Sequence, residues 1–447
     1  MHSHIVVGLG YGDEGKGSWV DHLCRRHGIA TVVRFNGGAQ ALHHVTTESG
    51  VVHGFRQFGS HSFIPGAKTM LSRYMLIEPV HLMLEVEDLV KRGVSAPLKR
   101  LYISAEAPII PFTNVLLNQV MELARGNGRH GSCGLGIGLT QGDIDDGQKP
   151  VIHAGDLKNR SVVTSKLHEH LALTLLQLPR FEAAADSQPY QDLSRFADHL
   201  DHYVDVYAKL ATAAQVVPEG AFVSTLRRQP VVFEGAQGAL LDQRYGTFPY
   251  CTRSTTTVAN AEQLLRDAGH TGPITRHGLL RAYATRHGAG PFVTESTDLS
   301  VPSCDNVLGA WQGVFRTGWF DVVAARTALS FSPVDDLVIT NLDRLDGLST
   351  LKVATAYEAC SSRYYNADKR QLHHPHDYAT STERSEALMQ AQPVYDVLAG
   401  YQNEHDVRHE AYLRYLETAI GQPIVALSRR KDSVKIYRHE RQLVDAL

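Results

Sequence analysis

The chain contains 447 residues, of which 43% are hydrophobic and 20% are charged, and its formal net charge is −3. This length exceeds a single typical core and predicts one large elaborated domain or two domains. A net charge so close to zero gives no reason to expect a nucleic acid as a partner. Five widely spaced cysteines that never form CxxC argue against a disulfide framework and favour a reducing compartment.

The first forty residues are typical of the start of an α/β fold. HIVVGLG has the apolar pattern of a short buried strand and runs into a glycine-rich loop. KGSWVDHLCRRHG then predicts a helix that ends at Gly28, and ATVVRFNGG predicts the next strand. Strand, loop, helix and strand in this order make a βαβ unit. The chain shows neither a signal peptide nor an apolar run of about 18 residues, so we expect a cytoplasmic protein without a membrane partner.

The rest of the chain continues this alternation of strands and helices. RLYISAE, PVVFEGAQG and DLVITNLD have the pattern of further strands, and helical patterns cover 78–93, 113–125 and about 160–215. We interpret residues 1–447 as a single domain in which 160–215 forms a helical insertion. The polar stretch 361–387 is predicted to be a surface excursion.

The glycine-rich loop at 10–17 fits two different binding patterns. It matches GxGxxG, which suggests a dinucleotide site but requires an acidic residue about 20 positions later, where the second strand offers Arg34. It also matches a phosphate-binding loop in which Gly17, rather than Ser or Thr, follows Lys16. The hydroxyl that normally binds Mg²⁺ is then missing, and Asp13 is well placed to supply another oxygen.

A series of motifs runs along most of the chain: GDEGKG (12–17), VVRFNGG with HHV (32–45), FEGAQGALLDQRYGTFPYCT (233–252), AYATRHGAGPFVTE (282–295), RTGWFD (316–321), TNLDRLDG (340–347) and GQPIVALS (421–428). In sequence, order and spacing these motifs resemble those of the adenylosuccinate synthetase family. The resemblance implies a P-loop-NTPase-like adenylosuccinate synthetase fold, which is an α/β fold with a large, mainly parallel central sheet flanked by helices. It also implies a homodimer.

The activity implied by the resemblance is that of a GTP- and Mg²⁺-dependent ligase acting on small molecules. The family makes adenylosuccinate from IMP and aspartate, with GTP as co-substrate. Removal of the N1 proton makes the purine O6 nucleophilic, and O6 attacks the γ-phosphate of GTP. An amine then displaces the phosphate at C6.

The resemblance also implies roles for single residues. Asp13 is the general base at N1 and a Mg²⁺ ligand, and His43 steadies the transferring phosphoryl group. Lys16 binds phosphate, and Gln237 holds the activated base. The predicted catalytic residues are Asp13, His43, Lys16 and Gln237. The predicted metal-binding residues are Asp13 and Leu42.

Two further groups of residues are predicted to recognise the nucleotides. Asp343 matches the aspartate that reads guanine, because a carboxylate accepts two N–H bonds that adenine does not offer. Thr252 lies where the family binds the 5′-phosphate of the substrate. The predicted GTP-binding residues are Gly12, Glu14, Gly15, Lys16, Gly17, His44, Asn341, Asp343 and Ser428. The residues predicted to bind the nucleotide substrate are Gln40, Cys133, Lys149, Gln237, Thr252 and Arg286.

The chain departs from the family pattern where the amine binds. LGAWQGVFRTGW (308–319) lacks the threonine and most of the arginines that hold the two carboxylates of aspartate. Bidentate arginines are the strongest partners for carboxylates, so their loss predicts a changed, apolar or aromatic nucleophile. Alternatively, Arg253 or Arg281 compensates for them. The predicted nucleophile pocket consists of Trp311, Gly313, Phe315 and Arg316.

Three functional interpretations are therefore open. The preferred one is a divergent member that activates a 6-oxopurine nucleotide resembling IMP and transfers a different amine. The conservative one is ordinary adenylosuccinate synthesis. The third is a catalytically inactive, GTP-binding regulatory protein, against which the presence of both Asp13 and His43 counts, because binding alone needs neither.

Overall fold

The computed structural model describes residues 1–299, 301, 311, 313–358, 365–366, 371–372, 378–430 and 433–437. Strands and helices alternate through these residues as the sequence predicted. The strands are β1 (Ser3–Gly8), β2 (Thr31–Arg34), β3 (His43–Thr46), β4 (Val52–Phe55), β5 (Lys68–Leu71), β6 (Leu101–Ser104), β7 (Pro108–Ile109), β8 (Ile152–His153), β9 (Gln215–Val217), β10 (Val232–Gly238), β11 (Ile274–Arg281), β12 (Ala284–His287), β13 (Phe315–Gly318), β14 (Phe320–Asp321), β15 (Asp336–Thr340), β16 (Thr350–Glu358), β17 (Tyr365–Asn366), β18 (Gln371–Leu372), β19 (Gln392–Ala399), β20 (Ile424–Arg430) and β21 (Ser433–Ile436).

The helices flank the sheet, and the first of them begins directly after the glycine-rich loop. In the described ranges, no helix is both long enough and apolar enough to cross a membrane. The helices are α1 (Lys16–His27), α2 (Pro79–Lys91), α3 (Phe112–Ala124), α4 (Ile137–Asp146), α5 (Arg160–Leu175), α6 (Gln188–Ser194), α7 (Leu200–Ala213), α8 (Glu219–Arg228), α9 (Ala259–Asp267), α10 (Val322–Phe331), α11 (Tyr378–Gln390) and α12 (Val407–Ile420).

The main sheet has ten strands within the described residues, in the order β21-β20-β15-β11-β1-β10-β2-β5-β6-β9. All neighbouring pairs are parallel except β20 and β21. β1 is buried along its whole length between β10 and β11, as expected for an apolar strand covered on both faces. The carboxyl ends of β1, β10, β11 and β15 therefore lie side by side, and open α/β sheets bind their ligands at this edge.

The segment 160–215 contains α5, α6 and α7, which pack beside α2 and α3. Leu167 and Leu171 of α5 and Val204 and Tyr207 of α7 belong to a buried apolar cluster that also includes residues of α2, α3 and β6. This cluster is separate from the one around β1 and β11. The helices of this segment therefore share an apolar core with α2, α3 and β6.

The last ten residues of the predicted polar surface excursion at 361–387 are helical. Residues 378–387 belong to α11, in which Ser381 and Arg384 are buried. Arg384 donates to the carbonyl oxygens of Tyr245 and Gly246. Polar side chains therefore dock this helix through hydrogen bonds to backbone carbonyls, a pattern that composition alone does not reveal. Residues 361–364, 367–370 and 373–377 of the predicted excursion lie outside the described residues.

A buried histidine predicts how the stability of the fold depends on pH. His61 is fully buried, and its Nε2 lies 3.1 Å from the carbonyl oxygen of Ala30. Burial lowers the pKa of His61 from 6.5 to about 4. As the pH falls from 6.5 toward 4, the unfolded chain gains a proton here that the folded chain does not. The free energy of unfolding should therefore fall by up to about 1.4 kcal/mol per pH unit on account of this histidine.

The measurement is urea denaturation near pH 7 and near pH 5 for the wild type and for His61→Gln, whose amide can still donate to Ala30. We expect the variant to lose less free energy of unfolding on acidification than the wild type. His202→Gln, at an exposed position of α7, is the matched control and should keep the wild-type slope. Equal slopes for His61→Gln and the wild type would show that His61 titrates alike in both states.

Candidate functional site

The glycine-rich loop joins β1 to α1 through a run of left-handed backbone conformations. Gly12 and Gly15 have φ values of 99° and 81°, and Asp13 has a φ of 63°. Glycine adopts such values without cost, whereas a residue with a side chain does so at some strain. A strained residue is typical of a functional position, and here the strain aims the predicted general base out of the loop.

The Glu14 carboxylate fills the centre of the loop. Its Oε1 accepts hydrogen bonds from the backbone N–H groups of Gly10 (3.1 Å) and Gly12 (2.7 Å). Its Oε2 accepts from Nζ of Lys16 (2.7 Å), and both side chains are buried. The donors that a phosphate loop normally offers to a phosphate thus surround an internal carboxylate. The sequence predicted Glu14 and Lys16 as GTP-binding residues but did not predict this pairing.

Gly8 and Gly238 make room for this carboxylate. A β-carbon at Gly8 would lie 2.1 Å from Oε2 of Glu14, and one at Gly238 would lie 2.6 Å from Oε1.

A third close approach explains why a glycine follows Lys16 in the loop. A β-carbon at Gly17 would lie 2.9 Å from Cβ of His43. Serine or threonine at position 17 would therefore displace the histidine that the sequence predicts to be catalytic.

His43 belongs to a buried hydrogen-bonded cluster beside the start of α1. Its Nδ1 donates to Oε1 of Glu234 (2.6 Å), and the backbone N–H of Ser60 donates to the other carboxylate oxygen (2.9 Å). Burial lowers the pKa of His43 to about 4, although Glu234 acts in the opposite direction. Burial acts to raise the pKa of Glu234. Arg34, His43 and Ser60 have the larger, opposite effect, so this pKa falls from 4.5 to about 2. Glu234 is therefore a fixed anion that sets the tautomer and orientation of the imidazole.

Asp13 is held by a residue that the sequence analysis missed. Nε2 of His287 lies 2.7 Å from Oδ2 of Asp13, and the Asp13 side chain is 37% exposed. Burial raises the pKa of Asp13, but the hydrogen bond from His287 and the charges of Arg281 and Lys16 lower it to about 2. An exposed, ionised carboxylate is the type of oxygen ligand that Mg²⁺ prefers. The AYATRHGAGPF motif contained His287, but no spacing linked it to the loop.

Leu42 fits the predicted metal-binding role less well than Asp13. Only its carbonyl oxygen could bind a cation, because its apolar side chain is exposed and lies beside Gly54. His44, predicted near the GTP phosphates, lies on β3, and its carbonyl oxygen accepts from Ser18 Oγ at 3.4 Å. In the described part of the chain, no cluster of three or more His, Cys, Asp or Glu side chains could hold a metal.

Gln40 and Gln237, both predicted to bind the nucleotide substrate, contact each other. Nε2 of Gln40 donates to Oε1 of Gln237 (3.1 Å), and Gln237 has a left-handed backbone with a φ of 63°. Thr252 lies in the loop that follows β10, where its N–H donates to the carbonyl oxygen of Leu241. These residues lie after neighbouring strands at the same edge of the sheet as Asp13.

The other predicted nucleotide-binding residues are engaged elsewhere. Lys149 is buried with Nζ 3.6 Å from Asp143. Cys133 packs on an apolar cluster, and burial raises the pKa of its thiol to about 11. Arg286 is buried, and its three nitrogens donate to the carbonyl oxygens of Ala289, Pro291 and Tyr250. Arg286 thus holds the 288–291 turn, and its role in nucleotide binding stays a prediction.

The predicted nucleophile pocket is built on the hairpin of β12 and β13. Phe315 pairs with His287 across the hairpin, and Arg316 pairs with Arg286. Arg316 donates to the carbonyl oxygens of Gly288 and Gly290, and its Nε lies 3.2 Å from Glu295. The remaining arginine of the family pattern is therefore neutralised and turned toward the backbone.

Two other predicted residues and the two candidate arginines complete this region. Gly313 is exposed with a φ of 80°, and a β-carbon at Gly134 would lie 2.8 Å from the Trp311 ring. Trp311 thus covers the segment around Cys133. The Arg281 guanidinium lies 5.8 Å from the centre of the Phe315 ring, and its nitrogens donate to Asn341 and Thr285. Arg253 lies against Gly142 of α4.

The predicted guanine site lies after β15. Asn341 has a φ of 59° and accepts from Arg281 and from Thr340. Asp343 follows it, and burial raises the pKa of this carboxyl. Its Oδ1 is buried and has no hydrogen-bond partner among the described residues. Such an oxygen is suited to accept a hydrogen bond from the edge of a guanine base. Ser428 is buried on the neighbouring strand β20.

Comparison with known proteins agrees with this geometry. The family model for adenylosuccinate synthetase matches residues 5–436. The chain belongs to the adenylosuccinate synthetase family. Adenylosuccinate synthetases of Ectopseudomonas mendocina and Pseudomonas entomophila are 30% and 31% identical to it, each over 96% of both chains. As a member of this family, the chain is a GTP-dependent ligase that forms a C–N bond and uses Mg²⁺.

Solved structures confirm the fold. The fully ligated adenylosuccinate synthetase of Plasmodium falciparum superposes with a TM-score of 0.77 at 22% identity, covering 98% of this chain and 100% of that one. The succinoaminodeoxyadenylate synthetase of cyanophage S-2L, bound to dGMP and dATP, gives a TM-score of 0.61 at 14% identity, covering 99% and 97%. The α/β class with a large, mainly parallel sheet, predicted from the family resemblance, is therefore confirmed.

Proposed function

We propose that this chain activates the 6-oxo group of a purine nucleotide with GTP and replaces it with an amine other than aspartate. The substrate nucleotide lies between Asp13 and the pair of Gln40 and Gln237. Asp13 removes the N1 proton, and the resulting charge on O6 directs its attack on the γ-phosphate. The amine then forms the bond to C6 as the phosphate leaves with the electron pair of the C6–O bond, and the amine nitrogen loses one proton to solvent.

The chain's own residues account for the activation half of this reaction. Asp13 is an ionised base held in place by His287. His43, fixed by Glu234, turns its Nε2 toward the transferring phosphoryl group and stabilises the charge that develops there. Asp343 offers a buried carboxylate oxygen to guanine. Asp13 would also hold Mg²⁺, which neutralises charge on the GTP phosphates when bound.

The observation that carries the changed nucleophile is the position of Arg316. Its Nη1 and Nη2 donate to the carbonyl oxygens of Gly288 and Gly290, and its Nε lies 3.2 Å from the Glu295 carboxylate. This arginine is thus already paired with a carboxylate of the chain, which weakens it as a clamp for a second one. Arg281 lends one positive charge to this side of the site, but two of its nitrogens already donate to protein oxygens. Aspartate carries two carboxylates, and each needs charge-assisted partners. The aromatic face of Phe315 suits an amine with an apolar body.

The test is GTP-dependent phosphate release with IMP, dIMP, GMP and dGMP, each combined with aspartate, phenylalanine, tyramine and hydroxylamine. Mass spectrometry of the nucleotide product identifies the transferred amine. Loss of one charged pair is worth at least about 1.4 kcal/mol, which is tenfold in affinity. We therefore expect kcat/KM for aspartate to be at least about tenfold below that of the best amine. If aspartate is the best amine with IMP, the chain is an ordinary adenylosuccinate synthetase.

A homodimer in the cytoplasm is also part of the proposal. It rests on the family resemblance and on the absence of disulfide spacing among the cysteines, rather than on a contact of this chain. Light scattering of the purified protein tests the dimer directly. A mass close to the 49.3 kDa of one chain at micromolar concentration would contradict it.

A further inference from the structure

His287 lies between the base and the predicted nucleophile pocket. It is the last residue of β12 and pairs with Phe315 of β13. Its Nε2 is 2.7 Å from Oδ2 of Asp13. Its ring centre is 4.8 Å from that of Phe315, and the two planes are inclined by 59°. One imidazole therefore contacts both the general base and the pocket wall.

The two ring nitrogens of His287 have different surroundings. Nε2 lies within hydrogen-bonding distance of Oδ2 of Asp13, and a carboxylate oxygen accepts the hydrogen of an imidazole N–H, so we place the ring hydrogen on Nε2. Nδ1, on the other side of the ring, is buried and has no hydrogen-bond partner within the described residues. Buried polar atoms in native proteins nearly always have a partner, which is protein, water or ligand. An unpaired acceptor beside the nucleophile pocket is thus suited to an N–H donor.

We propose that His287 is a positioning residue that holds Asp13 through Nε2 and accepts an N–H of the incoming amine through Nδ1. This inference rests on the proposed function and extends it to the recognition of the nucleophile. The ligand class is a primary amine whose carbon body packs on Phe315. The amine nitrogen is thereby placed close to the base that has activated the purine, which lowers the entropy cost of the second step.

Two conservative variants separate the two contacts. The glutamine side chain places an amide close to the position of Nε2, and the asparagine side chain places one close to the position of Nδ1. His287→Gln therefore keeps a donor for Asp13 but loses the acceptor for the amine, and His287→Asn does the reverse. His287→Phe keeps the ring volume against Phe315 and loses both contacts. A purely structural role predicts that the phenylalanine variant behaves best of the three.

Two readouts follow the two half-reactions. Positional isotope exchange in ¹⁸O-labelled GTP, with IMP and Mg²⁺ but no amine, reports activation of the purine by Asp13. The KM for hydroxylamine, a small probe amine, reports recognition of the nucleophile. We expect His287→Gln to keep the exchange rate and to raise this KM about tenfold, the effect of one lost hydrogen bond at 1.4 kcal/mol. His287→Asn should keep the KM and lose about tenfold in exchange, and His287→Phe should lose both.

The controls distinguish this inference from the proposed function. His202→Gln, at an exposed position of α7, should match the wild type in both readouts. Circular-dichroism melts and the KM for GTP establish that each His287 variant is folded. If the wild type is active and His287→Phe equals it in both readouts, the positioning role is overturned while the proposed function stands. If the wild type shows neither exchange nor turnover with any of the four nucleotides, the proposed function itself fails, and the role of His287 falls with it.

Discussion

Replacement of Asp13 by asparagine is expected to lower kcat by about 10²–10⁴-fold, the usual contribution of a general base. Asparagine has nearly the same size, so the loop keeps its backbone, but the neutral amide cannot take the N1 proton. Asp13 owes its base form to His287, Arg281 and Lys16, which lower the pKa of this carboxyl to about 2. The measurement is GTP-dependent phosphate release at saturating substrates with the best amine of the panel.

A surface aspartate provides the control for this substitution. Asp201 is 89% exposed on α7, and Asp201→Asn should leave kcat unchanged. Loss of a Mg²⁺ ligand would also lower the kcat of the Asp13→Asn variant, so the assay is repeated across a range of Mg²⁺ concentrations. A kcat that recovers to within threefold of wild type at high Mg²⁺ would contradict the role of Asp13 as base and leave only a metal-binding role.

Replacement of His43 by glutamine is expected to lower kcat by about 10²–10³-fold, as does removal of a group that stabilises developing charge. Burial lowers the pKa of His43 to about 4, so the free imidazole is neutral near pH 7 and donates only from Nδ1, toward Glu234. A phosphate brought next to Nε2 raises that pKa and allows a second donor to form. Single-turnover kinetics should show the loss in the phosphoryl-transfer step, with the KM for GTP nearly unchanged.

Replacement of Glu234, the hydrogen-bond partner of His43, tests the same role of His43 independently. Glu234→Gln removes the fixed anion that orients the ring, and we expect it to lower kcat in the same direction as His43→Gln. Because the two residues act as one unit, the double variant should be hardly worse than either single variant. Additive losses in the double variant would mean that the two residues act independently. His405→Gln, which is 86% exposed, serves as the neutral control.

The start of the fold was predictable because its signals are local. The apolar run of β1, the glycines of the loop and the cap at Gly28 are contiguous in the chain, and α1 does end at His27 with Gly28 in a left-handed conformation. The predicted helices at 78–93 and 113–125 correspond to α2 and α3 for the same reason. Periodicity over ten or more residues identifies such elements without knowledge of their neighbours.

The contacts of the site were less predictable because they join distant parts of the chain. Sequence reasoning identified Asp13 and Arg316 by their motifs. It could not show that His287 contacts Asp13 or that the Gly290 carbonyl accepts from Arg316. A motif specifies which side chain is present, whereas its hydrogen-bond partner depends on strands paired across hundreds of residues. The contact through which Arg384 docks α11 could not be predicted for the same reason, because composition does not distinguish a buried arginine from an exposed one.

The carboxylate of Glu14 gives the loop an anion of its own. Being covalently attached, it competes with inorganic phosphate for the N–H groups of Gly10 and Gly12 and for Lys16 without the entropy cost of bringing in a separate anion. Inorganic phosphate, a product of every turnover, therefore finds these donors already engaged. Product inhibition by inorganic phosphate at these donors should therefore be weak.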